Sequence, residues 1–123
     1  MGRSLPPFVG ADGHLDQQAV IGRMIEACPD LAPVLREDDE LISDLPYLQV
    51  SWIAKAVVNL ALEGQEAGVR EVLELAEQVL RDFGQEGRDF IGAGFVEGIP
   101  DGGEAVLEVL AGPLLLEEMR PHL

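Results

Sequence analysis

AGVREVLELAEQVLRDF, residues 67–83, decides the fold. Val69, Val72, Leu73, Ala76, Val79, Leu80 and Phe83 recur in it at spacings of three and four, which lines them along one side of an α-helix. The other side carries Arg70, Glu74, Glu77 and Arg81. Opposite charges four residues apart predict two surface pairs, Arg70 with Glu74 and Glu77 with Arg81, each worth about 0.2–0.5 kcal/mol. Gly84 is the expected stop, giving a helix of about 27 Å at about 1.5 Å per residue.

Upstream, Pro46 suits the first turn of a helix running from Tyr47 to about Glu63 and ending near Gly64. Val50, Ile53, Ala54, Val57, Leu60 and Ala61 give it a broad apolar arc, so it should be the most buried helix, with Trp52, Lys55 and Asn59 opposite. Further back, Asp16 is placed to accept from the free amides of a helix with Val20, Ile21, Met24, Ile25 and Cys28 on its apolar side, and Pro29 closes it. Asp30 is expected to open a short second helix through Leu31, Val34 and Leu35. Downstream, Phe90, Ile91, Gly94 and Phe95 form a helical stripe between Arg88 and Glu97. Gly92 and Gly94 each cost that helix about 1 kcal/mol relative to alanine, which predicts close packing as their reason. Pro100, Asp101, Gly102 and Gly103 break the chain before a short helix at 104–110, and Gly112-Pro113 starts a last one through Met119.

No two-residue alternation survives, and threonine is absent. The predicted class is all-α, with about six helices arranged as stacked HEAT-like hairpins or as an irregular helical bundle. A chain of 123 residues fits one domain. Residues 1–14, with two prolines and three glycines, read as an extended N-terminal arm, and 15–123 as a single helical domain.

Charge bounds the function. With 23 acids against 8 bases, a net −15, the surface repels nucleic-acid phosphates and anionic membranes and draws basic partners over about 8–10 Å. A salt-adapted cytoplasm would produce the same acid excess and the same scarcity of lysine, of which Lys55 is the only one. Cys28 is the single cysteine, so no intramolecular disulfide is possible and a reduced compartment fits. The first ten residues contain Pro6, Pro7 and Gly10 in place of a leader's apolar run, and the apolar window 52–62 is interrupted by Lys55 and Asn59. A bilayer span needs about 20 residues, so a soluble cytoplasmic protein is expected.

Glu37, Asp38, Asp39, Glu40 and nearby Asp44 have only Arg36 to offset them. A hard cation would accept such oxygens, but the alternate spacing, central glycine and terminal glutamate of an EF-hand loop are missing. A solvated acidic turn and a docking patch for a basic protein remain as readings. Glu71 and Asp82 are expected to be unpaired at the rim of the 67–83 helix and to extend an acidic face. Trp52 reads either as a second packing layer or as an interface anchor, and Tyr47 shares that ambiguity. His14 and His122 lie far from any nucleophile in a recognisable arrangement, Cys28 falls on an apolar side, and the glycines of IGAGFVEGIP do not have phosphate-loop spacing. No catalytic group, cofactor or metal site is expected, and the chain is read as a non-enzyme.

From Leu45 onward, LPYLQVSWIAKAVVNL, VLELAEQVL, DFIGAGFVEGIP and LAGPLLLEEM resemble a family of small uncharacterised bacterial helical proteins. Some of these are encoded beside polymorphic toxins and are presumed immunity proteins. The resemblance implies a helical fold and a cognate toxin as partner. An acid-rich inhibitor suits a basic toxin domain such as a nuclease, whose substrate channel is itself positive. The expected contact residues are Glu37, Asp38, Asp39, Glu40, Asp44, Trp52, Glu71 and Asp82. A generic acidic adaptor or scaffold with no toxin partner is the alternative.

Overall fold

The computed structural model describes residues 8–10, 12–33 and 45–122, with the backbone alone at 122. The fold is all-α. Its helices are α1 (Gln17–Ala27), α2 (Pro46–Leu62), α3 (Glu66–Phe83), the single turn α4 (Gln85–Gly87), α5 (Gly103–Glu108) and α6 (Pro113–Met119). Short 3₁₀ turns follow α1 (Pro29–Leu31) and α6 (Arg120–His122). Among the described residues the only strand-like feature is an isolated antiparallel bridge between Val9 and Leu15.

The starts and stops follow from local chemistry. Asp16 accepts from the Ala19 amide at 3.1 Å and caps α1. Pro46 occupies the first turn of α2, where its missing N–H leaves nothing unsatisfied. Gly64 and Gly84 take positive φ values of 86° and 57° at the ends of α2 and α3, a region that side chains rarely enter. On α3, Val69, Val72, Leu73, Ala76, Val79 and Leu80 are all buried, as their spacing requires. The short helix expected from Asp30 opens as a 3₁₀ turn that buries Leu31 and is α-helical at 32–33, while Val34 and Leu35 lie outside the described residues.

The arrangement is an irregular bundle. In a stacked hairpin array each unit touches only its neighbours. Here α2 packs against α1, α3, α5 and the 88–98 segment, while α3 also meets α1 and α6, so a single core is shared. Phe8, inside the stretch expected to be an extended arm, is fully buried in that core. Its carbonyl accepts from the Asp16 amide at 2.7 Å, and Glu86 accepts from His14 Nδ1 at 3.0 Å, which fastens this turn to α4.

The stripe between Arg88 and Glu97 is helical, but Arg88–Phe95 winds as a π-helix and Val96–Gly98 tightens to 3₁₀. Glycine's weak α preference leaves the winding to packing. A Cβ on Gly94 would lie 2.6 Å from Val50 Cγ1, and one on Gly98 would lie 2.6 Å from the Ser51 Cα. Gly94 and Gly98 therefore allow close approach to α2, whereas a Cβ on Gly92 would meet only the Glu118 carboxylate, at 2.9 Å, and not α2.

Two charge pairings differ from expectation. Arg70 lies 4.0 Å from Glu66 instead of pairing with Glu74. Glu77 turns away from Arg81 and accepts from the Leu114 and Leu115 amides, both at 2.9 Å. The first turn of α6 has free N–H groups and only Gly112 at its cap position, so a carboxylate from α3 supplies the missing acceptor. Replacing Glu77→Ala should lower stability to urea unfolding by about 1–2 kcal/mol, whereas Glu74→Ala should change it by less than about 0.5 kcal/mol. Gly98→Ala should cost about 1–3 kcal/mol in the same measurement, because its methyl meets backbone atoms of α2 that cannot rotate aside.

Candidate functional site

The outer side of α2 is the part of this helix that no neighbour covers. Trp52, Lys55, Ala56, Asn59 and Leu60 follow at the three- and four-residue spacing of a helix face, and with Asp30 from the 3₁₀ turn they line a cleft of about 390 Å³. Trp52 is half-buried: it packs on the hydrophobic core, as the packing reading expects, and its remaining surface lines the cleft. Leu45, Leu48 and Leu62 prolong the same face beyond the cleft, and Leu62 is 67% exposed.

A second groove, of about 240 Å³, lies between α1 and α3 and is lined by Arg23, Ala27, Glu71, Glu74, Leu75 and Gln78. Glu71 and Glu74 have no ion-pair partner among the described residues. A hollow that includes Ala27, Asp30, Glu66 and Gly68 joins the two. It shares Ala27 with the groove and Asp30 with the cleft, so the three depressions neighbour one another in a band around the turn that ends α1.

The expected contact residues do not form one cluster. Trp52 lies in the apolar cleft and Glu71 in the acidic groove. Asp82 lines neither and is not unpaired, because Arg81 Nε approaches its Oδ1 to 3.8 Å. Arg81 could not serve Glu77, whose carboxylate is committed to α6, and so turns to its neighbour. Glu37, Asp38, Asp39, Glu40 and Asp44 lie outside the described residues. Sequence reasoning missed two residues of this surface, Asp30 and Glu74; Asp30 is the first. It looked like a helix cap, and no local signal says that the turn at Pro29 carries it across to α2. Glu74 was missed because its spacing from Arg70 suggested a pair; its three- and four-residue relation to Glu71 and Gln78 was the available signal.

Charge on this surface is uneven. Arg23, Arg70, Arg81, Arg88 and Arg120 each lie within 4.0 Å of a neighbouring carboxylate. Lys55 alone among the described lysines and arginines has no such partner, and it faces the cleft. Among the described residues no three of histidine, cysteine, aspartate and glutamate are grouped to hold a metal ion. No buried side-chain nitrogen or oxygen among them lacks a hydrogen-bond partner. Tyr47 packs edge-on against Phe90, with centroids 5.4 Å apart at 81°. Its phenol pKa is raised by partial burial and then by the Asp89 carboxylate.

Such a site belongs to a small all-helical domain with a banded surface, apolar along α2 and acidic beside α3. The chain belongs to the family described as a domain of unknown function (DUF7674), whose match covers residues 21–121, from α1 to the turn after α6. No curated protein and no solved structure matches the chain. No helix among the described residues is long and apolar enough to cross a membrane.

Cys28 lies beneath the hollow, buried, and a Cβ on Gly68 would come within 2.8 Å of its Sγ. Burial raises the thiol pKa above its ordinary 9.0, with the Asp30 carboxylate adding to the shift. The thiolate fraction at pH 8 is therefore smaller than in the unfolded chain. Iodoacetamide should label native Cys28 more slowly than the urea-unfolded protein, with the native rate still rising above pH 9. The sign for stability follows: the unfolded chain loses this proton first, so the thiol's contribution falls as pH climbs from about 9 toward the raised native value.

Proposed function

We propose that this chain is an immunity-type protein that binds a basic toxin domain and neutralises it by occluding its site. The observation that carries the reading is the carboxylate surplus. The net charge is −15, and the described arginines are held by neighbouring carboxylates, which leaves Glu71 and Glu74 exposed without an ion-pair partner among the described residues. The segment 34–44 adds Glu37, Asp38, Asp39, Glu40 and Asp44 against one arginine. Exposed carboxylates without partners steer a cationic protein into contact and, once desolvated against arginine or lysine, couple by about 1.5–7 kcal/mol per close pair. A nuclease is the best-matched toxin class, since its own substrate is a polyanion. Action in the cytoplasm of a bacterium is part of the proposal, as is the resemblance to proteins encoded beside polymorphic toxins.

A second reading, an acidic helical adaptor whose charge reflects a salt-rich cytoplasm, is favoured by the single lysine in the chain. The two part company in one experiment. Coexpressed with the product of the adjacent gene, an immunity protein should copurify with it, restore growth under toxin expression, and lose affinity by at least about tenfold as salt shortens the Debye length from about 10 Å to about 3 Å. Failure to bind any neighbour, together with unchanged growth of a deletion strain under toxin challenge, retires the proposal in favour of the adaptor.

A further inference from the structure

We infer that the Trp52 cleft seats an apolar side chain from a short basic segment of the partner, whose cations extend from there toward Asp30, Glu66 and Glu71. The inference rests on the reading of the partner as basic and adds where and how it is held. The cleft is the apolar end of the band, where Trp52, Ala56 and Leu60 offer carbon surface. Its volume of about 390 Å³ is at the lower end of the roughly 300–1,000 Å³ range of ligand pockets, enough for a large apolar side chain. Tryptophan is one of the residue types enriched among binding hot spots.

Charge selects the occupant. Asp30 lines both the cleft and the hollow, Glu66 lines the hollow, and Glu71 and Glu74 line the groove. Glu66 has only a 4.0 Å contact with Arg70, and Asp30, Glu71 and Glu74 have no ion-pair partner among the described residues. Lys55, the one described cation left over, lines the cleft together with the opposite charge of Asp30, so the cleft itself carries no net charge. An arginine or lysine therefore gains most along the hollow and groove, where Asp30, Glu66, Glu71 and Glu74 stand against Arg23 alone, and the cleft, without net charge, is left to an apolar side chain. A segment with an apolar residue at one end and cations following it satisfies both conditions. A second copy of this chain would bring another net −15 to the same face.

Trp52 is the only tryptophan, so its fluorescence reports the cleft directly. The probe is a capped peptide of three arginines, a glycine and a Phe-Leu pair. Its controls replace the arginines by glutamates or the Phe-Leu pair by serines. The arginine/Phe-Leu peptide should shift Trp52 emission saturably, and neither control should. Asp30→Lys should weaken that binding by roughly tenfold, the loss expected of one close charge pair, while Asp101→Lys, the same charge change outside the band, should alter it by less than about twofold.

Several results overturn the inference. One is an emission spectrum unmoved by the peptide, and another is an equal shift with the serine control. An equal loss in Asp101→Lys, or a free chain that sediments as a dimer whose Trp52 emission changes on dilution, does so too. A neighbouring-gene toxin that binds tightly without moving Trp52 emission removes this seat and leaves the immunity reading intact. Saturable peptide binding at Trp52 with no toxin bound does the reverse.

Discussion

The structure depends on how α2 is covered. This helix is apolar over most of its circumference, and Val50, Ile53, Ala54, Ala56, Val57 and Val58 must all be shielded from water. The 88–98 segment achieves the tightest part of that shielding, because Gly94 and Gly98 let its backbone settle against Val50 and Ser51. Close approach maximises the dispersion contacts that a side chain at those positions would hold apart. A π-wound stretch is the local consequence. With α1, α3 and α5 against its other sides, α2 is most open along Leu48, Trp52, Lys55, Asn59 and Leu62.

That uncovered side makes the candidate site. A helix apolar nearly all round has more carbon surface than its neighbours can cover, and the remainder appears as a cleft with a half-buried indole. The acidic groove arises differently. Helices α1 and α3 meet through their apolar stripes, which leaves Glu71 and Glu74 at the seam with Arg23 and the small Ala27 opposite. The turn at Pro29 bridges the two features by setting Asp30 beside α2, and the buried Cys28 holds that turn against Gly68. Apolar and anionic surface thereby come together on one side of the molecule without any local sequence motif.

The α6 region shows the same economy of polar groups. Glu77 serves the first amides of a helix almost forty residues later in the chain, so α3 positions α6 by a hydrogen-bonded clasp as well as by burying Leu115 and Met119. Surface ion pairs add little by comparison, since exposed partners at 3.4–4.0 Å contribute about 0–1 kcal/mol each. Their effect is mainly on charge distribution: they occupy the arginines and leave exposed acids such as Glu71 and Glu74 without a cation.

Much of the architecture was legible because it is written in short-range periodicity. The three- and four-residue recurrences on α1, α2 and α3, the prolines at 46 and 113 and the stops at Gly64 and Gly84 are local, and each acts within a turn or two of helix. They determined the all-α class, the helix limits to within a residue or two, and most of the buried faces. Tertiary structure decided what depends on distance across the fold. It chose a shared-core bundle over stacked hairpins, drew Phe8 into that core, wound 88–95 as a π-helix, redirected Glu77 from Arg81 to α6, and carried Asp30 to Trp52. Spacing along the chain specifies which residues share a face. Which faces meet, and which polar group finds which partner, is settled only when the helices compete for the same apolar surface and the same free amides.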